Sequence, residues 1–196
     1  MVPERLQQQI DFLLEIDKLK GIVRRSYVMG GARRENTAEH SWHLVMMALV
    51  LTEHADQPVD ALAVLQMLAV HDLVEIDAGD TYVFDTDGGS SKAEREQAAA
   101  DRIFALLPAD QGAALRARWE EFEAGDSAEA RFARALDRLM PLLHNVHTEG
   151  RSWQEHGIRP EQVRRLHGRI ADGSIPLGLY AERLIDHAET AGFFGP

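Results

Sequence analysis

No cysteine occurs among the 196 residues. That absence excludes disulfides, thiolate metal sites and thiol nucleophiles, and it fits a reducing compartment. Long apolar runs are missing too. The longest, Leu44 to Leu51, falls far short of the ~20 residues a membrane-spanning helix needs. The start, Met1-Val2-Pro3-Glu4-Arg5-Leu6-Gln7, lacks the basic opening and apolar stretch of a secretory signal. A soluble, cytoplasmic protein with no membrane partner is therefore expected. Positive charge is scarce, with 21 Lys and Arg against 32 Asp and Glu and a formal net charge of −11. Such a chain is a poor match for nucleic acid or an anionic membrane. A small phosphorylated substrate, needing only a local positive pocket, stays open. Repeats, low-complexity tracts and alternating strand patterns are also absent.

What is present is helical periodicity, in a chain that is 45% hydrophobic and so able to build a sizeable core. Leu6, Ile10, Leu13, Leu14 and Asp17 outline an amphipathic helix that stops near Gly21. A basic, Gly-containing segment follows, from Arg24 to Arg34. Asn36, with Glu39 three residues on, marks the start of a helix running to about Ala55, apolar on nearly every side. Another apolar helix is expected from about Asp60 to Ile76. Helices apolar all round belong at the centre of a fold. A polar, Gly-rich loop from Gly79 through Ser91 is a candidate lid or rim, and further helices are expected over 92–107, 110–123, 127–148, 160–172 and 176–191. The expected fold is all-α, a bundle of about seven to eight helices forming one domain over residues 1–196.

The chemistry shows as polar residues where apolar ones belong. His40 opens one apolar helix. His71-Asp72 follows Leu65-Gln66-Met67-Leu68-Ala69-Val70, and Asp137 lies between Leu136 and Leu139-Met140. Unpaired carboxylates are costly to bury, so these need a counter-charge. Arginine could supply it, but two imidazoles beside two carboxylates point to a divalent cation. Glu75 shares a helix face with His71 and Asp72, whereas Asp77 falls well round it. Asp80, after Gly79, can curl back to the site. Pro141 leaves the Asp137 carbonyl without an N–H donor and predicts a kink. A lone buried histidine is usually a hydrogen-bonded core residue; the ordered set on three apolar helices is the more specific signal. His43 is expected to pack or to support a ligand, and His144 and His147 to be structural. His54, His156, His167 and His187 have surface-like neighbours and no expected function. Met46, Met47 and Met67 are expected in the core, and Glu94, Arg95 and Glu96 on a solvated face.

Three strings carry a resemblance: Arg34-Glu35-Asn36-Thr37-Ala38-Glu39-His40-Ser41, then His71-Asp72-Leu73-Val74-Glu75-Ile76-Asp77-Ala78-Gly79-Asp80, then Asp137. In order and spacing they resemble the HD-domain superfamily of metal-dependent phosphohydrolases, within it the branch of bacterial 5′-deoxynucleotidases. The similarity runs from about Leu19 to about Asn145; the C-terminal helices over 160–191 carry no diagnostic motif.

The resemblance implies an HD-type helical bundle that usually forms a homodimer, with one metal bound by His40, His71, Asp72 and Asp137. It implies Glu75 as catalytic acid/base, Asp80 as a supporting carboxylate of the catalytic site and Arg24 as a phosphate-binding arginine. Arg25 departs from the pattern, standing where the resembling enzymes carry a tryptophan near the sugar, so weaker ribose–deoxyribose discrimination is expected. Arg33 and Arg34 are either helpers or solvated loop arginines. Two nitrogens and two carboxylate oxygens suit Mn, Fe, Co, Ni or Zn, with Mg less favoured. The implied substrate is a nucleoside monophosphate, hydrolysed by a 5′-nucleotidase. Three alternatives remain. A phosphodiesterase or triphosphohydrolase would carry extra motifs. A non-catalytic, metal-stabilised binding protein would need neither Glu75 nor Asp80. An iron-pair oxygenase would need a second ligand set.

Overall fold

Ten α-helices and one two-stranded hairpin make up the regular structure of the described residues, 2–80 and 89–195, of the computed structural model. Most of the Gly79–Ser91 segment, read above as a lid or rim, lies outside those residues. Helix α1 (Glu4–Ile16) leads through a 3₁₀ turn to strands β1 (Val23–Tyr27) and β2 (Arg34–Asn36), which pair antiparallel. Then come α2 (Thr37–Leu51), α3 (Ala61–Val70), α4 (Glu75–Ala78), α5 (Gly89–Phe104), α6 (Ala109–Ala124), α7 (Ala128–His147), α8 (Arg151–Glu155), α9 (Pro160–His167) and α10 (Ile175–Thr190).

The hairpin corrects the expectation of no strands. Its strands are short and arginine-rich, so no apolar alternation marks them; tertiary pairing decides their conformation. Helix α2 begins with a reciprocal cap, Asn36 accepting from the Glu39 N–H at 3.0 Å while the Glu39 carboxylate accepts from the Asn36 N–H at 3.3 Å. The helix expected over 60–76 is broken. It ends at Val70, and tight turns carry the chain through His71–Val74 into α4, with the Glu75 N–H donating to the Asp72 carbonyl at 3.0 Å. Helix α8 was not foreseen, and the end of the helix expected over 160–172 is a 3₁₀ turn. Helix α7 continues through Pro141 to His147.

Two apolar clusters hold the molecule together. The larger joins Leu44 and Met47 of α2, Val64, Met67 and Leu68 of α3, and Phe132, Leu136, Leu139 and Met140 of α7 to the C-terminal helices through Val163, Ile170 and Ile185. The smaller gathers Phe12, Leu19, Val70, Leu73, Val74, Ile103 and Phe104. Helix α3 contributes to the first cluster and the chain just after it to the second, so His71-Asp72 stands at their seam.

Two expectations about the core fail. Helix α2 is not enclosed. Its buried face is Thr37, His40, Ser41, Leu44, Met47 and Ala48, whereas Trp42, Met46, Leu49 and Val50, at i, i+4, i+7 and i+8, are exposed. Met46 is thus a surface residue. In α1, Leu6, Ile10, Leu13 and Leu14 are exposed and Phe12 is the buried anchor.

Candidate metal centre

His40, His71, Asp72 and Asp137 meet where α2, the end of α3 and α7 converge. His40 Nε2 lies 3.0 Å from Asp137 Oδ1, and His71 Nε2 lies 3.2 Å from Asp72 Oδ2 and 3.7 Å from Asp137 Oδ1. One donor atom from each of His40, His71 and Asp72 falls within a sphere of metal-binding size, all within 4.8 Å of one another. His71 Nδ1 sits 3.1 Å from the Leu68 carbonyl, which fixes the ring and turns Nε2 inward. That buried Nε2 has no hydrogen-bond partner. A buried ring nitrogen without a partner, facing two carboxylates, suits a divalent cation.

Charge balance points the same way. Asp72, Glu75, Asp80, Asp137 and Glu35 surround the single guanidinium of Arg24, which donates to Asp72 Oδ2 at 2.8 Å and lies 3.7 Å from Glu75 Oε1 and 3.8 Å from Glu35 Oε2. Burial alone would push Asp72 up, but His71 and Arg24 hold it down at about 2. Asp137 is held well below its ordinary value, its burial outweighed by His40 and His71. His71 moves the opposite way: burial disfavours its charge, and Asp72 and Asp137 overcome that and raise it well above 6.5. The His71 imidazolium thus supplies positive charge where a metal would supply more.

Glu75 is buried on the same cavity wall. Burial first, then the charge of Asp72, push it up to about 8 against the pull of Arg24 and of Thr37, whose hydroxyl donates to Glu75 Oε2 at 2.9 Å. A carboxyl that can hold or release a proton near neutral pH is suited to acid–base work. Gly79 (φ +77°) turns the chain after α4, and Asp80 returns to line the cavity, its carboxyl raised by burial. Arg102 engages Asp77, which takes no part in the site. Arg24 and Arg25 both line the cavity, of about 280 Å³. Arg33 and Arg34 do not: Arg33 pairs with Glu39 at 2.7 Å and Arg34 with Glu155 at 3.1 Å.

Sequence reasoning missed four residues. Glu35 is buried and stands behind His40, its Oε2 3.5 Å from Nδ1, with Ser26 donating to it at 3.1 Å and His144 Nδ1 3.7 Å away. Its charge lies beside Nδ1 while Nε2 faces Asp137. A lone carboxylate in a polar strand carried no periodic signal of this. His167, read as surface-like from its charged neighbours, is buried and lines the cavity. Arg134 and Arg138 line it too; their i, i+4 spacing, with Asp137 between them, was the available clue. His43 packs edge-on to His144, ring centroids 6.4 Å apart.

A family model described as HD domain matches residues 16–176. The chain is similar along its whole length to a crystal structure described as that of a predicted metal-dependent phosphohydrolase from Magnetospirillum magnetotacticum MS-1, with a TM-score of 0.95, 50% identity and 100% of both chains covered. It is also similar to 5′-deoxynucleotidase HDDC2 of Homo sapiens, 31% identical over 135 residues, and to that of Bos taurus, 30% identical over 135 residues. These matches take in 68% of this chain, and 65% and 64% of the relatives' own lengths. The chain thus spans less than two thirds of the length of these two relatives.

Proposed function

The chain belongs to the HD-domain family, and on that premise we propose that it is a metal-dependent phosphohydrolase, a 5′-nucleotidase releasing phosphate from (deoxy)nucleoside 5′-monophosphates. The relatives named 5′-deoxynucleotidase and the predicted metal-dependent phosphohydrolase support the class. The observation that carries it is the meeting of His40, His71, Asp72 and Asp137, the last three lining one cavity with Glu75 and Arg24. A divalent ion held by those four side chains would make a water acidic and polarise a phosphoryl oxygen. Their nitrogens and oxygens fit Mn, Fe, Co, Ni or Zn better than Mg.

Glu75 exchanges a proton with the attacking water or the leaving oxygen, a task its elevated pKa suits. Thr37 fixes one of its oxygens. Asp80, which also lines the cavity, supports the site. Arg24 spends Nη1 on Asp72, while its Nη2 makes no hydrogen bond among the described residues and is available to a phosphoryl oxygen. Arg25, which also lines the cavity, would contact the sugar. The chain acts as one HD-type domain in the cytoplasm, as a homodimer that covers the exposed α2 face of Trp42, Met46, Leu49 and Val50. Among the described residues no helix is long and apolar enough to cross a membrane.

The test is phosphate release from a panel of nucleotides and sugar phosphates, with each divalent metal in turn. AMP and dAMP should differ by less than about tenfold in kcat/KM, ~1.4 kcal/mol. Glu75→Gln should keep its metal and lose ~10²–10⁴-fold in kcat. Wild-type turnover in that variant would remove Glu75 from the chemistry. Failure to hydrolyse any of the panel would overturn the assignment.

A further inference from the structure

Arg134, Asp137, Arg138, Pro141 and Asn145 lie along one face of α7 and line the metal cavity. Arg134 and Arg138 also line a second concavity of about 350 Å³, toward the start of α7, together with Arg131 and Arg169. Four arginines thus face two aspartates, Asp126 and Asp172, in a chain of net charge −11.

These arginines are poorly neutralised. Arg131 donates to the Asp126 carbonyl at 2.6 Å, and Arg138 to the Arg134 carbonyl at 3.3 Å. Arg134 donates to the Glu123 carbonyl at 2.8 Å, lying where a Cβ on Gly125 would come within 2.7 Å of its Nη1. Backbone carbonyls orient a guanidinium but bring no full negative charge. Among the described residues, none of the three pairs with a carboxylate within 4.0 Å. Arg169 has one, Asp172 at 3.5 Å, in an exposed pair of small strength. Arg138 is half-buried and lines both concavities. Arg24 differs, since Asp72, Glu75 and Glu35 already crowd it.

We propose that Arg138 and Arg134, backed by Arg131 and Arg169, form a second anion subsite adjoining the metal centre that takes a phosphate dianion. The planar forks match a phosphate's oxygens, and the site needs an anion to offset its charge. The dianion is either a second phosphoryl group on the substrate or a separate phosphate; both present the same oxygens. The proposal deepens the phosphohydrolase reading, but the subsite itself requires no turnover.

Titration calorimetry with inorganic phosphate on the metal-loaded protein tests it. The Arg138→Gln/Arg169→Gln double variant should bind one phosphate fewer per chain than wild type, whatever the number bound at the metal. That difference persists even if the protein hydrolyses nothing, so failure of the subsite and failure of the proposed activity are separable. Exposed Arg169 alone, as Arg169→Gln, should weaken the second binding event by about threefold to tenfold. It covers the case in which the double variant does not fold. Arg138→Lys should recover only part of the binding. Kinetic comparison of a nucleoside 3′,5′-bisphosphate with the 5′-monophosphate assigns the source. A bisphosphate advantage lost in Arg138→Gln places the dianion on the substrate, and an unchanged ratio with phosphate still bound makes it a separate ion. Equal phosphate stoichiometry and affinity in wild type and both Gln variants would overturn the proposal.

Discussion

His71 and His167 are equally buried, each 4% exposed, and line the same cavity. Their chemistry diverges completely. At the metal centre, Asp72 and Asp137 overcome burial and drive His71 well above 6.5. In the C-terminal region burial wins: His167 falls to about 4, a bond to the Arg138 backbone offsetting only part. Burial is common to both, so it does not make a ligand. The carboxylates facing the ring do, by creating a place where positive charge lowers the energy.

The largest effect should come from removing that negative charge. Asp72→Ala should lower bound metal to near zero, while His167→Leu retains it, as elemental analysis of the purified proteins can read. Equal metal in both would erase the distinction between the two regions. A smaller effect appears in acid. Folded His167 resists protonation down to about pH 4, whereas the unfolded chain accepts a proton near 6.5. Stability contributed by the neutral ring is therefore whole above 6.5 and is lost as the pH falls toward 4, by about 3 kcal/mol. Urea unfolding across that window should show a shallower decline for His167→Leu; parallel declines would mean that the ring is protonated in the folded state. The smallest effect is expected behind the metal. Glu35→Gln keeps the shape and removes the charge next to His40 Nδ1, so metal affinity should drop about 10–100-fold without loss of fold. An unchanged affinity, measured by competition with a chelator, would reduce Glu35 to a hydrogen-bond acceptor for Ser26.

The all-helical class was legible because apolar spacing repeats along most of the chain, and the α2 start because the Asn36–Glu39 cap is a local bond. Candidate ligands stood out by the same logic: a charged residue inside an apolar helix is anomalous before any fold is known. Local pattern could not reveal β1 and β2, since two arginine-rich strands exist only by pairing with each other. It also misread α2, because spacing reports how apolar a face is and not whether the chain itself covers it.

By itself, then, the sequence determined most of the helices, the Asn36 cap, the net charge and many of the residues with unusual chemistry, all properties of neighbours within about a turn or two. Only the tertiary structure decided that Glu35 stands behind His40, that Glu75 lies close enough to Asp72 to keep its proton, and that Arg138 opens onto two cavities while Arg24 is enclosed by carboxylates. Some of those relations join residues far apart in the chain, as Arg24 meets Asp72, and others depend on how a turn or strand sets near neighbours, as Glu35 meets His40. They arise when packed helices exclude water and leave each charge to its new neighbours, whose identity no local spacing encodes.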